Sequence, residues 1–485
     1  MFIGVDLGTS GVKAILMSNS GKVLDSATEK LSISRPHSLW SEQDPKSWWT
    51  ATKKSISRLS NTNSLQEVTA IGLAGQMHGV TLLDQHNRIL RPAILWNDGR
   101  CSKECEELEK IVPESRSITG NIMMPGFSAP KLKWLAKHEP DCFQQVAKIL
   151  LPKDYIRFLM TSNFASDMSD AAGTMWLNTR ARDWSDDLLS ACNLSRSHMP
   201  DLFEGCDITG TILPEVAQEL GISKSAVVVA GGGDNAAGAV GVGVISPGDA
   251  MISLGTSGVY FSVSSHFMSN PERALHSFCH AIPNTWHTMS VTLSAASCLS
   301  WVARLTGYES VAVMMKELEQ AAPTNDILFL PYLSGERTPH NNPRAKGVFF
   351  GMTHDTAAID LVQAVVEGVS FALADGLDTL HATGEIPKEI SLIGGGIRSR
   401  YWRQILSDAF GHDLFYREGG DVGPSLGAAR LAKIAVSEKS LRSLNKVCPK
   451  PKLIERHSPN YRRHNQLMGK RAMFKELYSA TSHLL

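Results

Sequence analysis

The chain opens with short apolar runs that are separated by small and polar residues. Residues 2–6 and 12–17 are largely apolar and have the length of strands, and residues 18–22 turn the chain into a third extended run. Between the first two runs, residues 8–11 read Gly-Thr-Ser-Gly, a composition typical of a tight turn. The pattern therefore predicts a β-meander at the start of the chain.

Helical periodicity follows the meander. Asp44 precedes Pro45, a pair suited to an N-cap and a first helical turn, and apolar residues then recur at roughly helical spacing before another strand-like run at residues 68–74. Two later runs, residues 361–380 and 465–485, are also predicted to be helical. We expect helices that lead into the strands and close the lobes.

An internal repeat divides the chain in two. Residues 6–13 read Asp-Leu-Gly-Thr-Ser-Gly-Val-Lys, and residues 253–260, half a chain later, read Ser-Leu-Gly-Thr-Ser-Gly-Val-Tyr. The offset is far too long for a solenoid repeat and indicates a duplicated α/β lobe, each copy beginning with strand, turn and strand. The turn-like residues 245–249 mark the boundary, so we place the lobes at residues 1–245 and 246–485.

Composition agrees with two domains and limits the partners. The 485 residues exceed the roughly 250–300 at which single cores stop growing. Forty-eight basic residues balance 48 acidic ones without a polybasic run, which argues against nucleic acid and anionic membranes and favours small molecules. The eight cysteines include no Cys-x-x-Cys pair, the N-terminus lacks a basic region, and no stretch of about 18 apolar residues occurs, so we expect a reduced, cytoplasmic protein. The sequence leaves a homodimer open.

The two repeated turns are candidate phosphate sites. A Gly-Thr-Ser-Gly turn between strands exposes successive backbone N–H groups and two hydroxyls, which suit phosphate oxygens. Such turns more often serve only to reverse the chain. Two copies that face each other across a cleft would favour the phosphate interpretation.

Two carboxylates are candidates for catalysis. Asp6 lies immediately before the first turn, where it could hold Mg²⁺ against bound phosphates, or could simply stabilise the turn. Asp234 follows a predicted strand at residues 226–230 and three glycines, so it would stand at a strand's carboxyl end, where open α/β sheets bind ligands. We take it as the candidate general base, the alternative being a cap for a helix at residues 236–240.

Other polar clusters also follow predicted strands. Met77 and His78 come after the strand that ends at Ala74, and Trp96 begins a polar stretch after residues 93–95, so both clusters suit a hydroxyl-rich ligand. The alternative is that the histidine is structural and the tryptophan belongs to the core.

A third glycine cluster is a candidate nucleotide site. Residues 394–396 separate a predicted strand from a predicted helix, so a purine could lie over this backbone near the helix N-terminus. His276, Cys279 and His280 have no further ligand pair at zinc-like spacing, and we assign them to the core.

Taken together, these motifs resemble the FGGY family of carbohydrate kinases. The segments that carry the resemblance are residues 6–10, 255–257, 233–235 and 394–396, with 126–134 similar to the family's first signature and 347–351 through 364–367 similar to its second. The resemblance extends from Met1 to about Ala432, and residues 433–485 match no motif.

The resemblance implies an α/β fold of two actin-like (ribonuclease-H-like) lobes that flank a central cleft, with sugar bound by the first lobe and ATP mainly by the second. Within the family, five segments are most similar to the kinases of D-xylulose: residues 76–79, 95–100, 151–155, 169–174 and 335–340. We therefore expect transfer of the γ-phosphoryl group of ATP, with Mg²⁺, to the 5-hydroxyl of D-xylulose.

Carried over by motif, Asp234 would be the base and Asp6 would support Mg²⁺, with both carboxylates near the metal. Met77 and His78 would contact the sugar, with further sugar or metal contacts from Trp96, Asp98 and Asn235. The residues implied for ATP are Gly8, Thr9, Ser10, Lys13, Gly255, Thr256 and Ser257 at the phosphates, and Gly396, Ser399 and Arg400 at the adenosine.

Several alternatives remain at this stage. Glycerol kinases of the family place an arginine-glutamate pair where this chain has Met77 and His78, so glycerol is disfavoured. Ribulose, fuculose and gluconate are rival substrates. An actin-like or Hsp70-like ATPase would turn over ATP without sugar, and a catalytically inactive sugar sensor would lack one of the two carboxylates that this chain retains.

Overall fold

Two seven-stranded sheets form the centres of the two lobes. The computed structural model describes residues 1–60, 63–321, 325–418, 423–437 and 441–484. The strands of the first half are β1 (Phe2–Leu7), β2 (Gly11–Met17), β3 (Val23–Lys30), β4 (Glu42–Gln43), β5 (Ala70–Gly75), β6 (Thr81–Leu83), β7 (Ala93–Ile94), β8 (Lys148–Leu150), β9 (Ala165–Asp167), β10 (Leu177–Asn178), β11 (Asp183–Trp184), β12 (Asp201–Phe203), β13 (Ile208–Thr211), β14 (Val227–Val229) and β15 (Gly232–Gly233). Those of the second half are β16 (Asp249–Leu254), β17 (Gly258–Ser264), β18 (His276–Cys279), β19 (Trp286–Thr292), β20 (Leu328–Leu330), β21 (Val348–Phe350), β22 (Glu389–Ile393), β23 (Leu414–Arg417) and β24 (Leu453–His457).

The helices pack around these sheets. In the first half they are α1 (Pro45–Leu59), α2 (Ser102–Ile111), α3 (Ser115–Thr119), α4 (Ser128–His138), α5 (Pro140–Phe143), α6 (Pro152–Thr161), α7 (Met168–Ala171), α8 (Asp186–Ala191), α9 (Pro214–Leu220) and α10 (Asp234–Gly241). In the second half they are α11 (Ala296–Leu305), α12 (Val311–Ala321), α13 (Ala358–His381), α14 (Arg400–Phe410), α15 (Pro424–Ala435), α16 (Leu441–Val447) and α17 (Tyr461–Thr481). No helix in the described part of the chain is long and apolar enough to span a membrane.

The two sheets share one topology. The first has the order β13-β14-β5-β1-β2-β3, with β15 also beside β5, and the second has the order β24-β23-β22-β16-β17-β19-β18. Across the six matching strands the pairings run antiparallel, parallel, parallel, antiparallel, antiparallel in both sheets. The duplicated lobe predicted from the repeat is therefore confirmed, and each repeated turn joins the central strand of its sheet to the next.

Most of the predicted elements are present. The meander is β1 to β3, and α1 begins at Pro45 with the Asp44 side chain accepting a hydrogen bond from the amide of Lys46, as predicted for an N-cap. The apolar run at residues 361–380 lies within α13, and the predicted terminal helix is α17, which ends before Leu485, a residue outside the described part of the chain.

One helix of the second half completes the first lobe, a feature that the sequence did not predict. Helix α15 lies against β1, β5 and α10. The contact is backbone to backbone, because a Cβ atom at Gly72 would lie 1.9 Å from the carbonyl oxygen of Ala428, and one at Gly4 would lie 1.9 Å from that of Ser425. Glycines in the strands thus let the helix approach the sheet closely.

The close approach makes a stability prediction. Gly72→Ala should lower the unfolding temperature, because the added methyl group must displace α15, and overpacking typically costs about 1–3 kcal/mol. The matched control is Gly469→Ala in α17, where nothing lies within 4 Å of the added Cβ and helix propensity should stabilise the protein by roughly 0.5–1 kcal/mol. Scanning calorimetry of both variants measures the difference, and an unchanged unfolding temperature for Gly72→Ala would contradict the contact.

Candidate active site

A cavity of about 340 Å³ lies in the cleft and has walls from both lobes. The first lobe contributes Met77, His78, Trp96, Met124, Gly126, Phe127, Asp234 and Asn235, and the second contributes Ser253, Gly255, Ser257, Val259, His276, Phe278, Met289, Val291 and Arg337. Five predicted sugar-site or catalytic residues and two predicted phosphate-site residues therefore meet in one cavity.

Strand pairing brings the two carboxylates to the same edge of the first sheet. Asp6 of β1 is level with Ala74 of β5, and Gly232 of β15 is level with the same Ala74 from the other side. Asp234 follows β15 directly and begins α10. Gly231 makes this path possible, because it has a φ of 79° and a Cβ there would lie 1.8 Å from the carbonyl oxygen of Leu73.

Both carboxyl groups are recessed in the cleft, and their pKa values are raised. Burial raises the pKa of Asp6 to about 7, the charge of Asp234 adds to this effect, and the charge of Lys13 opposes it. Burial raises the pKa of Asp234 to about 6 against the hydrogen bonds that its Oδ1 accepts from the amide and the side chain of Asn235, at 2.7 and 2.9 Å. Oδ1 of Asp6 is buried and has no hydrogen-bond partner among the described residues. Two desolvated carboxyl groups at one site can bind a metal cation or accept a proton from a ligand.

A buried ion cluster lies beneath the turn that carries Asp234. Lys153 pairs with Asp154, Asp167 and Asp170 at 2.6, 2.7 and 3.1 Å, and Arg157 pairs with Asp154 at 2.6 Å. Two cations thus face three carboxylates. Burial raises the pKa of Asp170 well above its usual range, so a proton on that group makes the cluster neutral.

The cluster holds the glycine turn in place. The guanidinium of Arg157 donates to the carbonyl oxygens of Val229 and Ala230, at the end of β14. The hydroxyl of Ser169, itself bonded to Asp167, accepts a hydrogen bond of 3.0 Å from the amide of Gly233. Arg157 and Ser169 therefore hold the backbone on the two sides of Gly231. The segments 151–155 and 169–174, whose role the sequence left unassigned, supply Lys153, Asp154 and Asp170 to the cluster beneath it.

The same region orients His78. Its Nδ1 lies 2.7 Å from the carbonyl oxygen of Gly173, so that nitrogen carries the proton and Nε2 is left as an acceptor. Burial and the charge of Lys131 lower the pKa of His78 to about 3, which keeps the ring neutral. The residue has a φ of 69°, and Lys131 donates to its carbonyl oxygen at 2.8 Å, while the ring packs edge-on against Phe127.

The first turn is tied to the sugar side of the cavity. The hydroxyl of Thr9 accepts a hydrogen bond from the indole of Trp96 at 2.9 Å and donates one to the side chain of Gln76 at 3.0 Å. Gln43, a residue absent from the sequence-based site, donates to the carbonyl oxygen of Thr9 and accepts from Gln76. Trp96 is 43% exposed, so it is a wall of the cleft and not a core residue. Gly8 and Ser10 flank Thr9 in this turn, and Lys13 lies opposite Asp6 on β2.

A second pocket of about 680 Å³ lies in the second lobe between α11, α12 and the start of α14. Gly396, Ser399 and Arg400, the three residues predicted for the adenosine site, line it together, and their role stays a prediction. Ser399 also caps α14, and Arg400 pairs with Glu455 at 2.7 Å.

The turn after β16 stands between the two pockets. Gly255 and Ser257 line the cleft cavity, while a Cβ at Gly396 in the second pocket would lie 3.1 Å from the Cβ of Leu254. The carbonyl oxygen of Gly255 also accepts a hydrogen bond from Ala296, which lines the second pocket. A nucleotide in the second pocket would thus extend its phosphates over this turn toward the cavity.

Seven predicted site residues line neither pocket: Asp6, Gly8, Thr9, Ser10 and Lys13 in and around the first turn, and Asp98 and Thr256. Asp98 is buried, and its carboxylate accepts hydrogen bonds from the amide of Ser41 and from the amide and guanidinium of Arg100. Thr256 is exposed at the tip of its turn, where its carbonyl oxygen accepts from Ala295 and Ser297. Their assignment as ligand contacts stays a prediction.

The sequence missed several walls of the cavity. His276, assigned to the core, is buried but lines the cavity and stacks on Phe278 with ring centroids 5.6 Å apart. Cys279 and His280 are buried behind it. Arg337, which also lines the cavity, belongs to residues 335–340, a segment that carries the family resemblance but for which the sequence predicted no role. Within the described residues no group of three or more His, Cys, Asp or Glu side chains could hold a metal ion by itself.

Comparisons with known proteins agree with this architecture. The N-terminal domain of the FGGY family of carbohydrate kinases matches residues 1–241, and the C-terminal domain of that family matches residues 250–436. The chain is 59% identical to the xylulose kinase of Escherichia coli (strain K12), over 99% of this chain and 98% of that protein, and 58% identical to the xylulose kinase of Klebsiella pneumoniae over the full length of both. The crystal structure of a "xyloylose kinase" from Brucella ovis superposes with a TM-score of 0.95 at 43% identity, covering 100% of this chain and 99% of the other.

The raised pKa of Asp6 predicts how stability depends on pH. The folded protein keeps the Asp6 proton up to about pH 7, whereas the unfolded chain loses it near pH 4, so Asp6 lowers the free energy of unfolding progressively as the pH rises between these values. Asp6→Asn should therefore raise the unfolding temperature of the ligand-free protein at pH 8, by about 1 °C per kcal/mol for a chain of this length, and leave it unchanged near pH 4.

Thermal unfolding in chelator-treated buffer across this pH range measures the effect. The control is Asp355→Asn, which replaces an exposed carboxylate and should leave the unfolding temperature unchanged throughout. A difference between Asp6→Asn and the parent that is the same at pH 4 and pH 8 would contradict the raised pKa.

Proposed function

Because this chain belongs to the FGGY family of carbohydrate kinases, we propose that it transfers the γ-phosphoryl group of ATP to the 5-hydroxyl of D-xylulose, giving D-xylulose 5-phosphate and ADP. The observation that carries the proposal is the turn at Gly255 and Ser257, which connects a nucleotide-sized pocket to a cavity containing Asp234, Met77 and His78. The two relatives named xylulose kinase, at 59% and 58% identity over essentially the whole chain, support the choice of sugar.

Asp234 is the proposed general base. It accepts the proton of the 5-hydroxyl as that oxygen forms a bond to the γ-phosphorus and the bond from the phosphorus to ADP breaks. Its pKa of about 6 supports this role, because such a carboxylate is largely ionised at neutral pH and still basic enough to share a hydroxyl proton. Asn235 orients the carboxylate by bonding Oδ1, which leaves Oδ2 for the sugar.

Met77 and His78 form the proposed sugar-binding wall. The neutral ring of His78 offers Nε2 to a sugar hydroxyl, since Nδ1 is engaged by Gly173. Trp96 covers the cavity from the side of the first turn. Closure of the lobes over the sugar would exclude water and limit idle hydrolysis of ATP.

Asp6 is the proposed main ligand for Mg²⁺, with Asp234 as the second carboxylate of the site. The fit rests on the buried Oδ1 of Asp6, which lacks a hydrogen-bond partner among the described residues, and on the preference of Mg²⁺ for one or two carboxylates together with substrate phosphates. When bound, the ion would neutralise charge on the phosphate oxygens.

The second lobe is the proposed ATP site. Gly255, Thr256 and Ser257 hold the phosphates, and Gly396, Ser399 and Arg400 line the adenosine pocket. On closure, the first turn and Lys13 approach the γ-phosphate. We assign these roles to lobes at residues 1–245 and 246–485, with α15 of the second half packed on the first lobe. We also propose a cytoplasmic location for the enzyme.

Replacing the base tests the mechanism. Asp234→Ala should reduce kcat for D-xylulose by about 10²- to 10⁴-fold, the usual worth of general-base catalysis, while the affinity for ATP stays close to that of the parent. Asp187→Ala, which removes an exposed carboxylate on α8, is the control and should retain full activity. Turnover of Asp234→Ala within about tenfold of the parent would exclude the role.

A panel of acceptors tests the substrate. ADP release should be fastest, by kcat/KM, with D-xylulose, and slower with D-ribulose, L-fuculose, gluconate and glycerol, because the relatives that are 59% and 58% identical are xylulose kinases. A higher kcat/KM for another sugar would reassign the substrate within the family. ADP release that is independent of any sugar would instead support an ATPase.

A further inference from the structure

Arg337 brings a positive charge from the second lobe into the cavity, and it has no role in the proposed mechanism. It lies in the loop between β20 and β21, and its side chain lines the cavity. Among the described residues no carboxylate pairs with its guanidinium, and its side-chain contact is with Nε2 of His276 at 3.4 Å. A recessed cation without a counter-charge is costly, so the partner is expected to be a ligand.

The loop holds Arg337 rigidly from both sides. On one side, the carboxyl group of Glu336 accepts hydrogen bonds from the amides of Arg337 and Leu293, at 2.7 and 3.0 Å. On the other, Thr338 exchanges hydrogen bonds of 3.1 Å with Val291 of β19, and its hydroxyl also donates to Ala274. Burial raises the pKa of Glu336 to about 8, against the charge of Arg337, and its Oε1 is engaged by backbone amides and not by the guanidinium.

Arg337 and Asp234 line the cavity from opposite lobes. The guanidinium of Arg337 lies 3.4 Å from Nε2 of His276, whose ring stacks on Phe278, and the ring of Phe278 lies 6.2 Å from that of His78 between centroids. Asp234, by contrast, is bonded to Asn235 and raises the pKa of Asp6. A sugar whose 5-hydroxyl meets Asp234 would direct its other end toward Arg337.

We propose that Arg337 is a sugar-binding residue that donates hydrogen bonds to the C2 carbonyl oxygen and the C1 hydroxyl of the ketose. This proposal rests on the proposed function. A guanidinium offers only donors, in a planar fork, and a carbonyl oxygen offers only an acceptor, so the two are complementary. Because His78 and Asp234 belong to the first lobe and Arg337 to the second, the bound sugar joins the lobes and favours the closed cleft.

Steady-state kinetics of Arg337→Met test the proposal. KM for D-xylulose should rise so that kcat/KM falls by about 10- to 150-fold, the range for losing a hydrogen bond to a charged group. KM for ATP should stay within about twofold. With glycerol, which retains only the C3 to C5 end of the sugar, kcat/KM should change by less than about threefold, so that the preference for D-xylulose over glycerol collapses.

Two further variants keep the result interpretable. Arg344→Met removes an exposed arginine a few residues along the same loop and should match the parent in every assay. Arg337→Lys keeps the charge and most of the volume but not the planar fork, and should show a smaller loss that is again confined to D-xylulose.

The proposal would be overturned by an unchanged KM for D-xylulose, by a fall in kcat without a change in KM, or by equal losses with D-xylulose and glycerol in both Arg337 variants. Failure of the proposed function is a separate outcome, because the parent enzyme would then show no preference for D-xylulose before any substitution is made.

Discussion

The buried ion pairs of Lys153 and Arg157 fix the part of the first lobe on which the chemistry depends. They tie three aspartates and the end of β14 into one neutral cluster, and through Ser169 they reach the amide that precedes Asp234. A buried cluster of this kind tolerates no loss of a partner, because an unpaired charge would remain in the core. The glycine turn above it can therefore keep its left-handed conformation at Gly231 and present Asp234 beside Asp6 in the absence of ligand.

Preorganisation of two acidic groups has a cost in stability that the fold must offset. Asp6 and Asp234 are desolvated near each other, and their raised pKa values record that cost. The docking of α15 on β1 and β5 braces the same sheet with a helix from the other half of the chain. A helix from the second half of the chain thus completes the first lobe, so that the two lobes on either side of the cleft are packed together.

The sequence predicted those features of the structure that depend on contacts between residues close together in the chain. The meander, the cap at Asp44, the two repeated turns and the carboxylate after β14 are set by short-range patterns, and each is present at or near the predicted position. The roles of individual site residues depend on tertiary contacts, which the sequence did not predict. The hydroxyl of Thr9 is hydrogen-bonded to Gln76 and Trp96, and the carboxylate of Asp98 is hydrogen-bonded to Arg100. His276 lies in a buried strand, as its sequence context predicts, yet His276 and Phe278 of that strand face the cavity. Arg337 and α15 act across the lobes, so no local pattern marked them.

Phosphoryl transfer by the proposed mechanism depends on contact between Asp234 and the hydroxyl that is phosphorylated. A crystal structure of the protein with D-xylulose and a non-hydrolysable ATP analogue measures that geometry directly. We expect a carboxylate oxygen of Asp234 within about 2.6–3.2 Å of the sugar's O5, with O5 facing the γ-phosphate above the turn at Gly255. A complex in which O5 points toward another residue, with the Asp234 carboxylate beyond hydrogen-bond reach of it, would contradict the role of Asp234 as the base.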